Sequence, residues 1–297
     1  MSFFPFNLKE RIKHFINTLT KIIWSRKSYL FIIKQWTQLE DLHSCSEVLQ
    51  TMRFTNHLEP VELTSIHAKK ILVIAPHPDD EMLGAGGTLI KAIKQGIHVK
   101  VVYITSGKEN QHLILEKETV AISEKIGYTT HFLKYSVGAI PDTEEPARQM
   151  AKVIADYQPD ICFISALFDD HPEHRLVNKL LLIAYKNQWL PKQMMMWGYQ
   201  VYSTILPNVV IDITAEKDLK AEAINLWETQ KSSRDFAHYI LGLNAFNVRF
   251  LKTNQKRYAE TFFVLPLEEY VKLCSLYYSN LKNINPLKIT QNERVTL

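Results

Sequence analysis

From residue 70 onward, short apolar runs alternate with longer amphipathic stretches. Ile71–Ala75 is continuous, aliphatic and stopped by Pro76, the pattern of a strand buried on both faces. The segment TLIKAIKQG then carries apolar residues at helical spacing and ends on Gly96, which predicts a helix over about 83–95. His98–Thr105 (HVKVVYIT) reads as a second strand, 113–126 as a helix ended by Gly127, and His131–Tyr135 as a third strand. Pro146 suits the first turn of a helix running to about Tyr157. Asp160–Ser165 (DICFIS) is a further buried strand, Arg175–Asn187 a helix, and Met194–Val201 and Val209–Ile213 two more strands. After Ala215 the pattern turns mainly helical until Glu260–Leu265 (ETFFVL), a late strand.

Helix alternating with apolar strand predicts an α/β fold, a Rossmann-like three-layer sandwich with a mostly parallel sheet. Three parts are expected: a helical N-terminal extension over 1–66, an α/β domain over 67–268, and a C-terminal helix and tail over 269–297. The extension mixes Phe3, Phe4, Phe6, Phe15, Ile16 and Trp24 with Lys9, Arg11, Lys13, Lys21, Arg26 and Lys27. Two readings stand for it. One is peripheral contact of residues 1–36 with an anionic membrane, and the other is an amphipathic helix packed on the main domain or a second subunit.

Composition narrows the class. The formal charge of +4 is small, with no basic stripe interleaved with aromatics, so nucleic acid is not the expected partner. No run of eighteen apolar residues occurs, and the N-terminus lacks the shape of a signal peptide. Cys45, Cys162 and Cys274 are isolated and odd in number, which fits a reduced, cytoplasmic setting, at the inner membrane face if the extension binds lipid. Oligomeric state leaves no mark in the pattern.

The chemistry concentrates after two of the expected strands. His77, Asp79, Asp80 and Glu81 follow the first, and Asp169–His174 (DDHPEH) follows the strand at 160–165. Like-placed turns lie at the same edge of a parallel sheet, where ligands bind. Together they supply His-x-x-Asp and His-x-x-His. Two imidazoles and a carboxylate are a common set for catalytic zinc, with a position left for water. Taken singly, a histidine after a strand is an ordinary turn residue, and an Asp-Asp pair before a helix is an ordinary cap. Gly84, Gly86 and Gly87 read either as close helix–strand packing or as the loop of a Rossmann-type nucleotide or S-adenosylmethionine binder.

APHPDDE with the following MLGAGGTL resembles the first motif of the PIG-L/LmbE-like zinc deacetylases, and HPEHRLV resembles their second. ITAEKDLKAEAI and RYAETFFVL are similar to the closing segments of that family, so the likeness spans about Lys70 to Leu265. It implies a zinc-dependent, or otherwise divalent-metal-dependent, amidohydrolase that removes the acetyl group of an N-acetylglucosamine-type amine, as a small molecule or lipid-linked. It further implies that His77, Asp80 and His174 bind the metal and Asp79 is the general base. His171 would steady the tetrahedral intermediate and assist departure of the amine. Glu173 would stand for the aspartate that commonly orients that imidazole, with an arm one methylene longer. Glu81 would support the turn. The family's substrate-contacting arginine has no counterpart at Leu115 or Glu116, so substrate recognition does not carry over. An inactive relative that keeps the fold is the other outcome such a likeness allows.

Overall fold

The computed structural model describes residues 44–48, 51, 59–141, 143–231 and 234–280. The membrane-facing or packed helix expected in 1–36 and the tail beyond 280 lie outside these residues. Eight described strands form one sheet: β1 (Val61–Glu62), β2 (Lys70–Ala75), β3 (His98–Thr105), β4 (Thr129–Tyr135), β5 (Ile161–Ser165), β6 (Met195–Tyr199), β7 (Val209–Asp212) and β8 (Ala259–Pro266). Their order is β1-β7-β8-β6-β5-β2-β3-β4. β8 alone runs against its neighbours β6 and β7; the other described pairings are parallel. The fold is therefore the mostly parallel α/β sandwich that the alternation predicts.

Period two explains the layers. Val73, Val101, Tyr103, Phe163, Trp197 and Tyr199 join one core with helices α1 (Asp80–Lys94), α2 (His112–Ile126), α5 (Lys217–Ile224) and α7 (Phe236–Asn247). Leu72, Ile74, Val102, Cys162, Ile164 and Met196 point the other way and are equally buried. On that side α4 (Pro172–Lys186) packs against both α3 (Glu144–Tyr157) and α8 (Leu267–Asn280). A four-residue helix, α6 (Glu228–Lys231), lies between α5 and α7 in the chain.

Three boundaries differ from expectation for physical reasons. α1 begins at Asp80 rather than near 83, because Asp79 occupies its N-cap and the acidic pair Asp80 and Glu81 suits a first turn. α4 begins at Pro172 rather than Arg175, with proline in the first turn and His171 as N-cap. Val61–Glu62, inside the expected helical extension, pairs with β7 at Val61↔Val209. Two residues carry no periodicity to read. α8, assigned to a C-terminal segment, is built into the sandwich, with Leu267, Tyr270, Val271, Cys274 and Tyr277 buried.

The glycines sit inside α1, not in a loop between β2 and the helix, which leaves no phosphate-cradling turn there. A Cβ on Gly84 would fall 2.1 Å from the Tyr199 ring, and one on Gly87 would fall 2.7 Å from Ile213. These positions are bare because sheet side chains fill the space. The same approach admits a buried ion pair: Lys220 Nζ donates to Glu260 Oε1 (2.6 Å), Asn244 Oδ1 (3.0 Å) and the Leu83 carbonyl (3.0 Å). Glu260 in turn accepts from the Gly87 and Thr88 amides, each at 2.8 Å. Both side chains are wholly buried, so every charge depends on its partner. Lys220→Met is expected to cost about 3–5 kcal/mol by stranding the carboxylate. Urea unfolding of the metal-free protein measures that loss.

Candidate metal centre and active site

β2 and β5 are neighbours in the sheet, so the turns that leave their carboxyl ends meet over one edge. Thr105 at the end of β3 pins the first turn by donating to the Pro76 carbonyl (2.9 Å). Ser165 and Asn178 donate to the His174 carbonyl at 2.9 and 3.0 Å and fix the start of α4. The two motifs, 97 residues apart in sequence, are thereby brought into contact: His77 Nδ1 and His174 Nε2 stand 3.3 Å apart.

Three donor atoms form a tight triangle. Asp80 Oδ2 lies 3.0 Å from His77 Nδ1 and 3.2 Å from His174 Nε2, and the imidazole nitrogens complete the third edge. Ligands on a tetrahedral zinc at about 2.0–2.2 Å stand about 3.3–3.6 Å from one another, so these atoms need move little to share an ion. Asp80 Oδ1 is buried with no hydrogen-bond partner, a further sign of a set arranged for a cation. Donor atoms of His77, His171 and His174 also lie within 4.8 Å of one another. His171 is thus close enough to act on whatever the triangle holds.

The charges are arranged accordingly. Burial opposes a charged His77, but the carboxylates of Asp80 and Glu173 overcome it and push its pKa up to about 10. Burial likewise opposes a charged His174, and Asp80 and Asp169 lift it to about 9. Burial raises Asp80, yet the His174 and His77 imidazoles outweigh this and hold it well below the usual carboxylate range. His171 is pushed down to about 3 by burial and by its cationic neighbours. The metal-free pocket therefore holds protons on His77 and His174, where an ion would replace them.

A pH dependence follows. His77 and His174 bind protons more tightly folded than unfolded, so their stabilisation is complete below about 6.5 and disappears as pH rises through about 9 to 10. His171 works with the opposite sign between about 3 and 6.5. Thermal melts of metal-free protein are expected to fall steadily from pH 6.5 to 10, while zinc affinity climbs across that window.

Asp79 stands beside the triangle in an unusual conformation. Its φ is 119°, rare for a residue with a side chain, and costs on the order of 1–3 kcal/mol. The carboxyl is buried, and among the described residues nothing hydrogen-bonds to it. Burial, then the adjacent Asp80 charge, raises its pKa well above the usual range. Glu81 braces this turn: Oε1 accepts from the Tyr103 and Tyr128 hydroxyls at 2.8 and 2.9 Å, and Oε2 from the Asp79 amide at 3.2 Å.

Glu173 differs from its sequence-based role. Its carboxylate reaches His77 Nε2 at 2.7 Å and accepts from the Gly138 amide at 2.9 Å, rather than orienting His171. What His171 receives from this residue is the backbone amide, donated to Nδ1 at 3.3 Å. That bond leaves the His171 proton on Nε2.

Asp169 is a participant that motif reading passed over, although it lies in the quoted DDHPEH. Wholly buried, it faces His174 Nδ1 at 3.0 Å, off the line of a good hydrogen bond. It also accepts from the His171, Val201 and Tyr202 amides at 3.1, 3.3 and 3.1 Å. A carboxylate behind a ligating imidazole sets its tautomer and orientation. At the expected arginine position Leu115 is buried, and Glu116 accepts from Ser106 Oγ (2.6 Å) and pairs with Lys134 (3.4 Å).

The Rossmann-like sheet thus carries at its carboxyl edge two imidazoles and one carboxylate suited to a metal ion, with a buried acid beside them. Residues 72–185 match the model of the PIG-L: GlcNAc-PI de-N-acetylase family. A relative, diacetylchitobiose deacetylase of Thermococcus kodakarensis, is 26% identical over 223 residues, 67% of this chain and 84% of that protein. The N,N'-diacetylchitobiose deacetylase of Pyrococcus horikoshii has a similar structure, with a TM-score of 0.58 and 24% identity over 69% of this chain and 86% of that one. A 4-carboxy-2-hydroxymuconate hydratase from Pseudomonas putida also shares the fold, with a TM-score of 0.53 and 19% identity over 66% of this chain and 96% of its own. Fold alone therefore does not select the reaction, and the site must.

Proposed function

We propose that this chain is a zinc-dependent N-deacetylase that hydrolyses the amide of an N-acetylated amino sugar. The observation that carries the reading is the 3.0–3.3 Å triangle of His77 Nδ1, Asp80 Oδ2 and His174 Nε2, with Asp79 and His171 beside it. An ion held by these atoms supplies Lewis acidity towards water and the acyl oxygen. Asp79 takes the proton of the attacking water, its buried carboxyl standing beside the triangle with no hydrogen-bond partner among the described residues. The His171 Nε2–H is a donor for the oxygen that becomes negative as the carbonyl turns tetrahedral. The proton gathered by Asp79 then reaches the nitrogen, and acetate and the free amine depart. Glu173 acts through His77, whose Nε2 it holds, as a positioning residue.

The family match and the chitobiose deacetylase relative support an N-acetylglucosamine-type substrate, free, glycan-linked or lipid-linked. Among the described residues no helix is long and apolar enough to cross a membrane. The buried thiols of Cys162 and Cys274 agree with a reducing, cytoplasmic setting. The test is acetate release from a panel of N-acetylglucosamine conjugates by zinc-loaded and chelator-stripped protein. Release that requires the metal supports the proposal; none from any conjugate at full zinc loading refutes it.

A further inference from the structure

Tyr202 lies outside both motifs, in the segment between β6 and β7, yet its ring packs on the pocket. Ring centroids stand 5.5 Å from His174 and 6.1 Å from His171. Three bonds hold the segment still. Asp169 Oδ2 accepts from the Tyr202 amide, Tyr239 donates its hydroxyl to the Val201 carbonyl at 2.8 Å, and Gln200 Oε1 accepts from the Ile205 amide at 3.2 Å. The wall it makes is aromatic, anchored and only partly exposed. On the His77 side, the Gly138 amide donates to Glu173, whose carboxylate also holds His77, and Gly138 and Ala139 are exposed.

An amide at this pocket has two unequal arms, a small acyl group and a bulky amine. The exposed side at Gly138 and Ala139 is open to a bulky arm, whereas the Tyr202 ring is half-buried against His171 and His174. We propose that the Tyr202 ring is the end wall of the acyl subsite and limits the acyl group to about the size of acetyl. This rests on the deacetylase reading for its substrate, and on the ring's position for the selectivity. An ordered aromatic wall discriminates by steric exclusion, and each misplaced methylene costs about tenfold or more. Tyr202→Ala removes the wall, whereas Tyr202→Phe keeps it.

The experiment uses the full chain loaded with cobalt, whose visible spectrum reports carboxylates binding at the metal. Acetate, propionate, butyrate and hexanoate are titrated into wild type, Tyr202→Phe and Tyr202→Ala, with metal content measured in each. The expected result is a preference for acetate over hexanoate of about tenfold or more in wild type and Tyr202→Phe, falling to within about threefold in Tyr202→Ala at unchanged metal content. The same variants are assayed on N-acetyl- and N-butyryl-glucosamine conjugates, where Tyr202→Ala gains butyryl cleavage. Retained acetate preference in Tyr202→Ala overturns the proposal, as does wild type that takes up no cobalt or binds all four acids alike. If no amide is cleaved but the carboxylate preference depends on the ring, the deacetylase reading falls and the wall stands. Cleavage in wild type with selectivity unmoved in Tyr202→Ala sinks the wall alone.

Discussion

Asp79→Asn is expected to keep its full complement of zinc, lower kcat at least about a hundredfold and leave KM within a few-fold of wild type. The carboxylate is not part of the donor triangle, so its loss does not open the metal site. It is the buried acid nearest the reacting centre without a hydrogen-bonded partner among the described residues, which frees it to take a proton. The same substitution is expected to stabilise the protein. Asparagine tolerates the backbone at φ 119° better than most residues and has no charge to bury beside Asp80. A gain of about 1 kcal/mol corresponds to a melting temperature about 2–4 °C higher. Activity lost while stability rises is the signature of a functional strain. A variant that loses both zinc and stability would instead make Asp79 a ligand.

His174→Ala is expected to behave oppositely. This imidazole supplies one corner of the triangle and lies against Asp80 and Asp169, with no exposed surface. Its removal leaves two donors. If a three-ligand site binds zinc with about 10 kcal/mol or more, losing one ligand weakens binding about a thousandfold. Bound zinc after dialysis against a weak chelator and acetate release should both fall to background. Equal zinc loss in Asp79→Asn and His174→Ala would show that the two residues share one role.

What could be read from the sequence was local. The runs at Ile71–Ala75 and Asp160–Ser165 announce strands by themselves, and each is followed directly by its cluster of histidines and acids. A parallel sheet then puts both turns at one edge, so the meeting of His77 and His174 follows from topology. Features made by distant partners were hidden. β8 enters between β6 and β7 and runs against them, because pairing direction is set by the path of the preceding helices rather than by ETFFVL itself. The glycines of α1 are explained only by Tyr199, Ile213 and the Lys220–Glu260 pair that approach them from the far end of the chain. Glu173 looked like the partner of its neighbour His171, but its arm ends on His77 in the other motif. Asp169 could have been found from its place two residues before His171, since an acid there can reach both the loop and the ring behind it. Tyr202 gives no such signal; only the fold carries it to the pocket.

Anomalous diffraction from zinc-loaded crystals, recorded on both sides of the zinc absorption edge, tests the metal centre most directly. The account predicts one peak per chain within about 2.3 Å of His77 Nδ1, Asp80 Oδ2 and His174 Nε2 together. A peak bound elsewhere, or none on these three atoms at full zinc loading, would contradict it.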